Sequence, residues 1–167
     1  MGKIKIGGLM QSDGRSMIRL TSRPEQPESP GEVMGMMGRL GINIEFLVES
    51  CDLEDCCHVA LCLDRRDLDA ALLNLEEAKD RLGLKNISHN PEVVVVSIFG
   101  PHFREKPQIA GVMFLALARA GVKVSAVSTS ISSISCVIPA EDRAAVLQVL
   151  RDSFEIPQHI KNRPKDY

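Results

Sequence analysis

Thiol and imidazole side chains are concentrated in one short stretch of the 167-residue chain. Cys51, Cys56, Cys57 and Cys62 surround His58, and thiolates and imidazoles are the ligands that zinc prefers. Their pattern, C-x4-C-C-H-x3-C, differs from common zinc sites, in which paired ligands lie about two to four residues apart. Two adjacent cysteines would also point to opposite faces of a strand, so both cannot easily hold one ion. The sequence therefore predicts no metal site.

The cysteines have a simpler interpretation, because free cysteine in proteins behaves as a small buried hydrophobe. Five cysteines is an odd number and nothing in the sequence indicates export, so a disulfide framework is not expected either. The four histidines are scattered without a nucleophile at pairing distance, and no glycine-rich phosphate loop is present. We therefore expect neither catalysis nor a cofactor.

Composition and charge exclude several classes of partner. The apolar fraction of 44 % and the charged fraction of 25 % are typical of soluble globular proteins. A formal net charge of −2 provides no basic surface for nucleic acid. The longest uncharged apolar stretch, residues 107–118, is far shorter than the roughly 20 residues that span a bilayer, and the N-terminus has no apolar signal core. These features predict a cytoplasmic protein with no nucleic-acid or membrane partner.

Two segments of the chain follow the same pattern. Residues 41–50 and 121–130 each begin with glycine, alternate apolar and polar residues, and end in small or polar residues. A helix-like segment precedes each of them, with Pro30 or Pro107 in its first turn, where a missing N–H costs little. The chain therefore contains two copies of one structural unit.

Apolar periodicity assigns the same elements to each copy. In the first copy it predicts helices over 30–40 and 67–82, and strands over 17–20, 42–48, 57–63 and 85–88. In the second copy it predicts helices over 108–120 and 141–154, and strands over 93–99, 122–127 and 134–138. The last helix should face inward with Ala145, Val149 and Leu150. This order implies an α+β fold of two ferredoxin-like (βαββαβ) domains, each an antiparallel sheet with its helices on one face.

The repeat also gives domain boundaries. The first repeat covers residues 11–90 and the second covers residues 91–156, followed by a polar tail over 157–167. This tail would make a poor last strand for the second copy, whereas the strand-like segment 3–10 has no place in the first. We predict that residues 3–10 complete the second sheet.

Both copies contain distinctive segments. Residues 95–100 read VVSIFG, residues 127–130 read VSTS, and residues 134–138 read ISCVI. In the first copy, residues 30–33 read PGEV and residues 41–44 read GINI. These segments resemble the K-V-S-I-V-G strand, I-S-T-S turn, I-S-V-V-I strand, D-x-P-G-x-A loop and G-I-N-I strand of the aspartate kinase regulatory region. That region is a tandem pair of ACT domains, and the resemblance covers nearly the whole chain without a kinase domain.

The resemblance implies an allosteric regulatory protein that binds an amino acid, threonine or lysine or a related one, and that has no catalytic activity. In the family, effector contacts come from the loop after the first strand and from the end of the second strand. On this chain those positions are Glu28, Ser29, Pro30, Gly31, Val48, Glu49 and Ser50, with Ser128, Thr129 and Ser130 in the second copy.

These residue types suit a free amino acid, which presents a carboxylate and an ammonium close together. Amides at a helix start suit the carboxylate, Gly31 permits a close approach, and Glu28 or Glu49 suits the ammonium. Each position also has an ordinary structural interpretation. Pro30 and Gly31 can form a plain loop-to-helix junction, and residues 128–130 can form a polar turn whose hydroxyls bind their own backbone.

Partners follow from the same resemblance, which implies a homodimer through ACT–ACT contacts and an associated aspartate kinase catalytic subunit. The helices also carry more apolar side chains than one buried face requires, so some of them should cover a second subunit. These side chains are Met34, Met36, Met37, Phe114 and Leu115. An alternative function is an assembly module that associates with a catalytic subunit and binds no ligand, because several polar residues of the effector site differ from the family pattern.

Overall fold

The computed structural model describes residues 2–101, 103–157 and 161–162, without the side chains of residues 104, 161 and 162. The chain forms two compact units, which we call the first-copy unit, Gly14–Glu92, and the second-copy unit, Met1–Asp13 with Val93–Tyr167. Most of the expected polar tail lies outside the described residues. Helices and antiparallel strands alternate as expected, which confirms the α+β class.

The elements fall in the predicted order. The helices are α1 Ser29–Arg39, α2 Leu68–Glu77, α3 Gln108–Arg119 and α4 Arg143–Ser153. The strands are β1 Ile4–Lys5, β2 Gly8–Ser22, β3 Ile44–Cys51, β4 Cys57–Asp64, β5 Leu84–Phe99, β6 Ala126–Thr129, β7 Ser133–Pro139, β8 Phe154–Glu155 and β9 Lys161–Asn162. Strands β2 and β5 each contribute residues to both units.

In the first-copy unit, β4 pairs antiparallel with both β2 and β3. Its core lies where α1 and α2 cover these strands, and it contains buried apolar side chains from β2, β4 and both helices, with Ile44 of β3 packed against them. Met36 and Met37 lie inside this core, and Met34 packs against it, so the methionines of α1 are used within the unit. Leu40, which lies just after the last residue of α1, is 40 % exposed.

In the second-copy unit, β7 pairs antiparallel with β5 and with β6, and α3 and α4 bury one face of these strands. The N-terminal segment belongs to this unit: β1 pairs in parallel with β8, and the Gly7 N–H donates to the Phe99 carbonyl at 2.7 Å. Ile6 and Leu9 are buried among the core side chains. The short strand β9 pairs in parallel with β2 at Met10 and Gln11.

Strands β2 and β5 are longer than periodicity predicted. The first half of β2 was not predicted, because the residues from Gln11 to Ser16 are polar and show no apolar alternation. Arg15 and Ser16 are nevertheless buried there. The predicted break between residues 88 and 93 is wrong, because β5 runs through Pro91 without interruption. Proline removes only the N–H, and the Pro91 carbonyl still accepts a hydrogen bond from the Ser16 hydroxyl at 2.7 Å.

Three further element boundaries differ from prediction. Helix α2 ends at Glu77, because the following turns lead to Gly83 with φ 62°. Strand β6 starts at Ala126. Helix α4 starts at Arg143, after a 3-10 turn over Ala140–Asp142, and its buried residues are Val146 and Leu150. Leu150 faces inward as predicted and Val149 packs against the core, whereas the prediction for Ala145 is wrong, because Ala145 is exposed and its neighbour Val146 is buried.

The structure also corrects the expectation that the cysteines form no disulfide. Cys51 and Cys57 are joined by a disulfide within the first-copy unit. The reason is the strand register, since Cys51 ends β3 directly opposite Cys57 at the start of β4. The remaining cysteines, Cys56, Cys62 and Cys136, are free and buried.

Candidate functional site

A cleft of about 690 Å³ opens at the start of helix α1 in the first-copy unit. Helix α1 forms one wall, and single residues from the end of β3 and from the turn after α2 complete it. Its lining residues are Pro27, Glu28, Pro30, Gly31, Glu32, Gly35, Arg39, Glu49 and Arg81.

The cleft brings together four of the residues expected to contact a ligand, namely Glu28, Pro30, Gly31 and Glu49. Ser29, in the first turn of α1, does not line it, because its side chain is buried, and its hydroxyl has no hydrogen-bond partner among the described residues. Val48 and Ser50 are outside the lining, as expected for the strand neighbours of Glu49, since alternate side chains point to opposite faces.

The first turn of α1 leaves one backbone donor for a ligand. Glu28 precedes the helix, and its side chain makes no capping hydrogen bond. The amides of Ser29 and Glu32 donate to backbone carbonyls, and Pro30 has no N–H. Within the described part of the chain, the Gly31 amide is therefore the free donor of the first turn, at the positive end of the helix dipole.

Charged side chains of both signs face the cleft. The Arg81 guanidinium donates to the Glu32 carboxylate at 3.2 Å, so these two groups largely satisfy each other. The other charged lining residues are two acids, Glu28 and Glu49, and one base, Arg39. A small zwitterion can therefore meet a guanidinium and an amide with its carboxylate, and two carboxylates with its ammonium.

Sequence reasoning missed part of this lining. Gly35 and Arg39 continue the line of Glu28, Gly31 and Glu32 at helical spacing, so extending the predicted helix face would have found them. Arg81 gave no such signal, because it reaches the cleft from the turn after α2.

Ser128, Thr129 and Ser130 belong to the second-copy unit and do not line this cleft. The Ser130 hydroxyl accepts hydrogen bonds from the amides of Ser132 and Ser133, at 3.2 and 3.0 Å. This is the polar-turn arrangement in which a hydroxyl binds its own backbone. Nothing in this geometry directs Ser130 to a ligand.

The second-copy unit has a smaller depression of about 410 Å³, near the start of α3. Its lining includes two lysines, and Lys106 donates to the Lys5 carbonyl at 3.1 Å. Over the residues that the structure describes, the lining contains no carboxylate: it consists of Lys5, Ile6, Gly7, Gly100, Pro101, Phe103, Lys106 and Pro157. This depression is the poorer match to an amino acid, because it offers the ammonium no acidic partner.

The cysteine-rich hairpin end adjoins the cleft. The carboxylate of Glu49 and the sulfurs of Cys51 and Cys57 all lie within 4.8 Å of one another. His58 is directed elsewhere, since its Nε2 lies 2.9 Å from the Asp52 carboxylate and its Nδ1 lies 3.2 Å from the Thr21 hydroxyl.

The free cysteines are held in other surroundings. The Cys56 sulfur accepts a hydrogen bond from the Lys85 ammonium at 3.0 Å. Burial raises the pKa of Cys62 and of Cys136 to about 12, so both stay protonated thiols at neutral pH. They act as small core residues, as the sequence predicts.

Comparison with known proteins supports the fold and the resemblance. An ACT domain family model matches residues 96–154. Aspartokinase 2 of Bacillus subtilis is 28 % identical over 123 residues, which cover 74 % of this chain and 30 % of that protein. The ligand-free regulatory subunit of aspartate kinase from Thermus thermophilus is 25 % identical with a TM-score of 0.80, covering 90 % of this chain and 99 % of that one. A structure of aspartokinase alpha and beta subunits is 21 % identical, also with a TM-score of 0.80.

The chain spans about a third of the length of the curated aspartokinases that it matches, and it spans nearly all of the Thermus regulatory subunit. Residues 96–154 thus match an ACT domain model, and the chain as a whole is similar to the regulatory region of aspartate kinases. Among the described residues, every helix is too short or too polar to cross a membrane.

Proposed function

We propose that the protein is a non-catalytic regulatory subunit that binds a free amino acid in the cleft at the start of α1. One observation carries this proposal: the cleft combines an open helix-start amide at Gly31, the Arg39 guanidinium and the carboxylates of Glu28 and Glu49. These groups suit the carboxylate and the ammonium of an amino acid. The similarity to a regulatory subunit of aspartate kinase supports the same role.

The charge of the cleft favours a basic amino acid. A single ammonium requires one acidic partner, and the cleft offers two carboxylates outside the Glu32–Arg81 ion pair, Glu28 and Glu49. Threonine would leave the second carboxylate without a partner, whereas the side-chain ammonium of lysine can pair with it. We therefore expect lysine to bind more tightly than threonine.

A catalytic partner is part of the proposal. The similar regulatory subunit from Thermus and the aspartokinase alpha and beta subunits support association of this chain with an aspartate kinase catalytic subunit. Two apolar side chains of α3, Phe114 and Leu115, are 36 % and 51 % exposed, and they are candidates for contact with another subunit. Cytoplasmic localisation and a homodimer belong to the same proposal.

The first test is a thermal-shift screen of the purified protein against the twenty amino acids. A ligand at 100 times its dissociation constant adds about 2.7 kcal/mol of stability, so millimolar lysine should raise Tm clearly. Replacing Glu49→Gln keeps the size of the side chain and removes its charge, and it should weaken lysine binding about tenfold. The matched control is Glu77→Gln, at the exposed end of α2 outside the cleft.

The outcomes separate the two candidate functions. A shift with one amino acid that Glu49→Gln reduces and Glu77→Gln retains supports the effector site. The absence of any shift would contradict it, and would favour the assembly module, for which the exposed Phe114 and Leu115 are the supporting observation. Sedimentation of variants Phe114→Ser and Leu115→Ser, with and without a catalytic subunit, would then test that function.

A further inference from the structure

We propose that Cys51 and Cys57 form a reversible thiol–disulfide site whose state sets the affinity of the adjoining effector cleft. This inference rests on the proposed function and adds its regulation. It starts from the disulfide between the last residue of β3 and the first residue of β4. Glu49, two residues before Cys51, lines the cleft and also places its carboxylate within 4.8 Å of both sulfurs.

The two sulfurs differ in accessibility, which decides where exchange begins. Cys51 is exposed, whereas Cys57 is only 7 % exposed. Thiol–disulfide exchange requires a thiolate to reach one sulfur of the bond. An external thiolate therefore attacks the sulfur of Cys51 and leaves Cys57 as the departing thiolate.

The chemistry balances with a dithiol as the reductant. Its first thiolate forms a mixed disulfide with Cys51 and breaks the Cys51–Cys57 bond, and the Cys57 thiolate takes up a proton. The second thiolate of the reductant then attacks the mixed disulfide and releases Cys51, which is protonated in turn. Two electrons pass to the protein, and the reductant leaves as a disulfide; oxidised glutathione reverses the change in two corresponding exchanges.

Reduction should leave the hairpin folded, because the turn between the cysteines has its own hydrogen bonds. The Asp52 carboxylate accepts from the amides of Glu54 and Cys56, at 2.9 and 3.0 Å, and the Asp52 amide donates to the Cys56 carbonyl at 3.0 Å. The His58 ring lies 2.9 Å from the same carboxylate. The change is thus confined to the sulfurs and the group beside them, Glu49.

The direction of the effect follows from the hydrogen-bonding properties of sulfur. A disulfide has no hydrogen to donate, so in the oxidised protein the Glu49 carboxylate is available to a ligand ammonium. Each thiol is a weak donor. The Glu49 carboxylate lies within 4.8 Å of both sulfurs, so a small rotation would let either thiol of the reduced protein donate to it and compete with the ligand for its oxygens. We expect the reduced protein to bind lysine about fivefold more weakly than the oxidised protein.

The test compares one protein preparation in two states, oxidised with glutathione disulfide or reduced with dithiothreitol. Alkylation under denaturing conditions followed by mass spectrometry should label three cysteines after oxidation and all five after reduction. Calorimetric titration with L-lysine, and in parallel with L-threonine, then gives the affinity in each state.

Two variants make the assignment specific. Cys51→Ser combined with Cys57→Ser should bind with one affinity under both conditions. Cys56→Ser removes the neighbouring free thiol, retains an acceptor for Lys85, and should keep the fivefold difference. Far-UV circular dichroism and Tm verify that each variant is folded.

Each failure has its own meaning. Labelling of all five cysteines after oxidation, or equal lysine affinity in the two states, would overturn this inference while leaving the effector site intact. Absence of binding by any amino acid in either state would overturn the proposed function together with its regulation. A redox effect that persists in the double serine variant would assign the switch to another cysteine.

Discussion

Glu49 lies where the cleft at the start of α1 meets the disulfide-linked end of the β3–β4 hairpin. The family resemblance, which implies effector contacts at the end of the second strand, selected Glu49, and the structure brings it to one cleft with Glu28 and Gly31. Its contact with the sulfurs was outside the reach of the sequence, because it depends on the exact register of β3 against β4. Arg81 was missed because it is distant in sequence from the other lining residues and reaches the cleft, where it pairs with Glu32, through the fold.

Asp64 is the residue from which a pH dependence can be derived. It accepts hydrogen bonds from the amide and guanidinium of Arg66, and it pairs with the buried Arg15 at 2.9 Å. The Arg66 hydrogen bond, aided by the nearby positive charges, lowers the pKa of Asp64 to about 2. A carboxyl with a lowered folded-state pKa stabilises the fold fully above its unfolded pKa, and this contribution is lost as pH falls through the folded value.

The Asp64→Asn variant should therefore lose stability at neutral pH. We expect a loss of about 1 kcal/mol, the upper range for an ion pair that is partly open to solvent. The difference from the parent protein should shrink between pH 4 and pH 2, as the parent carboxyl becomes protonated. Urea unfolding at several pH values measures it, and a difference that stays constant over this interval would contradict the assignment.

At the scale of elements, apolar periodicity placed all four helices and failed on the two longest strands. Helices gave a clear signal because each has one buried stripe, as in α1 with Val33, Met36 and Met37. Strand β2 gave little signal because buried Ser12, Arg15 and Ser16 interrupt its apolar residues. A buried polar residue is compatible with a strand when it is paired, as Arg15 is with Asp64, and pairing is not visible in the sequence.

The turn between α2 and β5 depends on Gly83. Its φ of 62° lies in the left-handed region, and a Cβ at this position would collide with the side chain of Gln26. We expect Gly83→Ala to destabilise the protein by about 1–2 kcal/mol, through backbone strain and this collision. Chemical denaturation measures the change.

The matched control lies in helix α3. Gly111 has open space around a Cβ and a helical backbone, so Gly111→Ala should stabilise the protein by about 0.5–1 kcal/mol. Equal effects of the two alanine substitutions would contradict the conformational argument for Gly83.

At the scale of the whole molecule, the chain has two hydrophobic cores, one in each unit. The core of the second-copy unit draws on both ends of the chain, because Ile6 and Leu9 pack with residues that follow Val93. Two sequence features predicted that the N-terminal segment joins the second repeat. The C-terminal end is polar, and the strand-like N-terminal segment has no place in the first repeat. We infer that residues 3–10 are part of the second repeat's domain.

Leu9→Ala tests the inferred role of the N-terminal segment. Leu9 is 1 % exposed in the second-copy core, so its truncation should cost about 2–4 kcal/mol. Amide hydrogen exchange should accelerate more in β7 than in β4. The control, Leu75→Ala in the first-copy core, should accelerate β4 more than β7. Faster exchange confined to β4 in the Leu9 variant would contradict the inference.

The discontinuity of the second-copy unit has a consequence for biosynthesis. The first-copy unit is one uninterrupted stretch, so all of its residues have left the ribosome once Glu92 has emerged. In the second-copy unit, Ile6 and Leu9 are synthesised early, but they cannot complete their core packing until Phe154 has been synthesised. Since domains tend to fold in the order of synthesis, we expect the cleft at the start of α1 to form on the nascent chain before the second-copy unit can close its core.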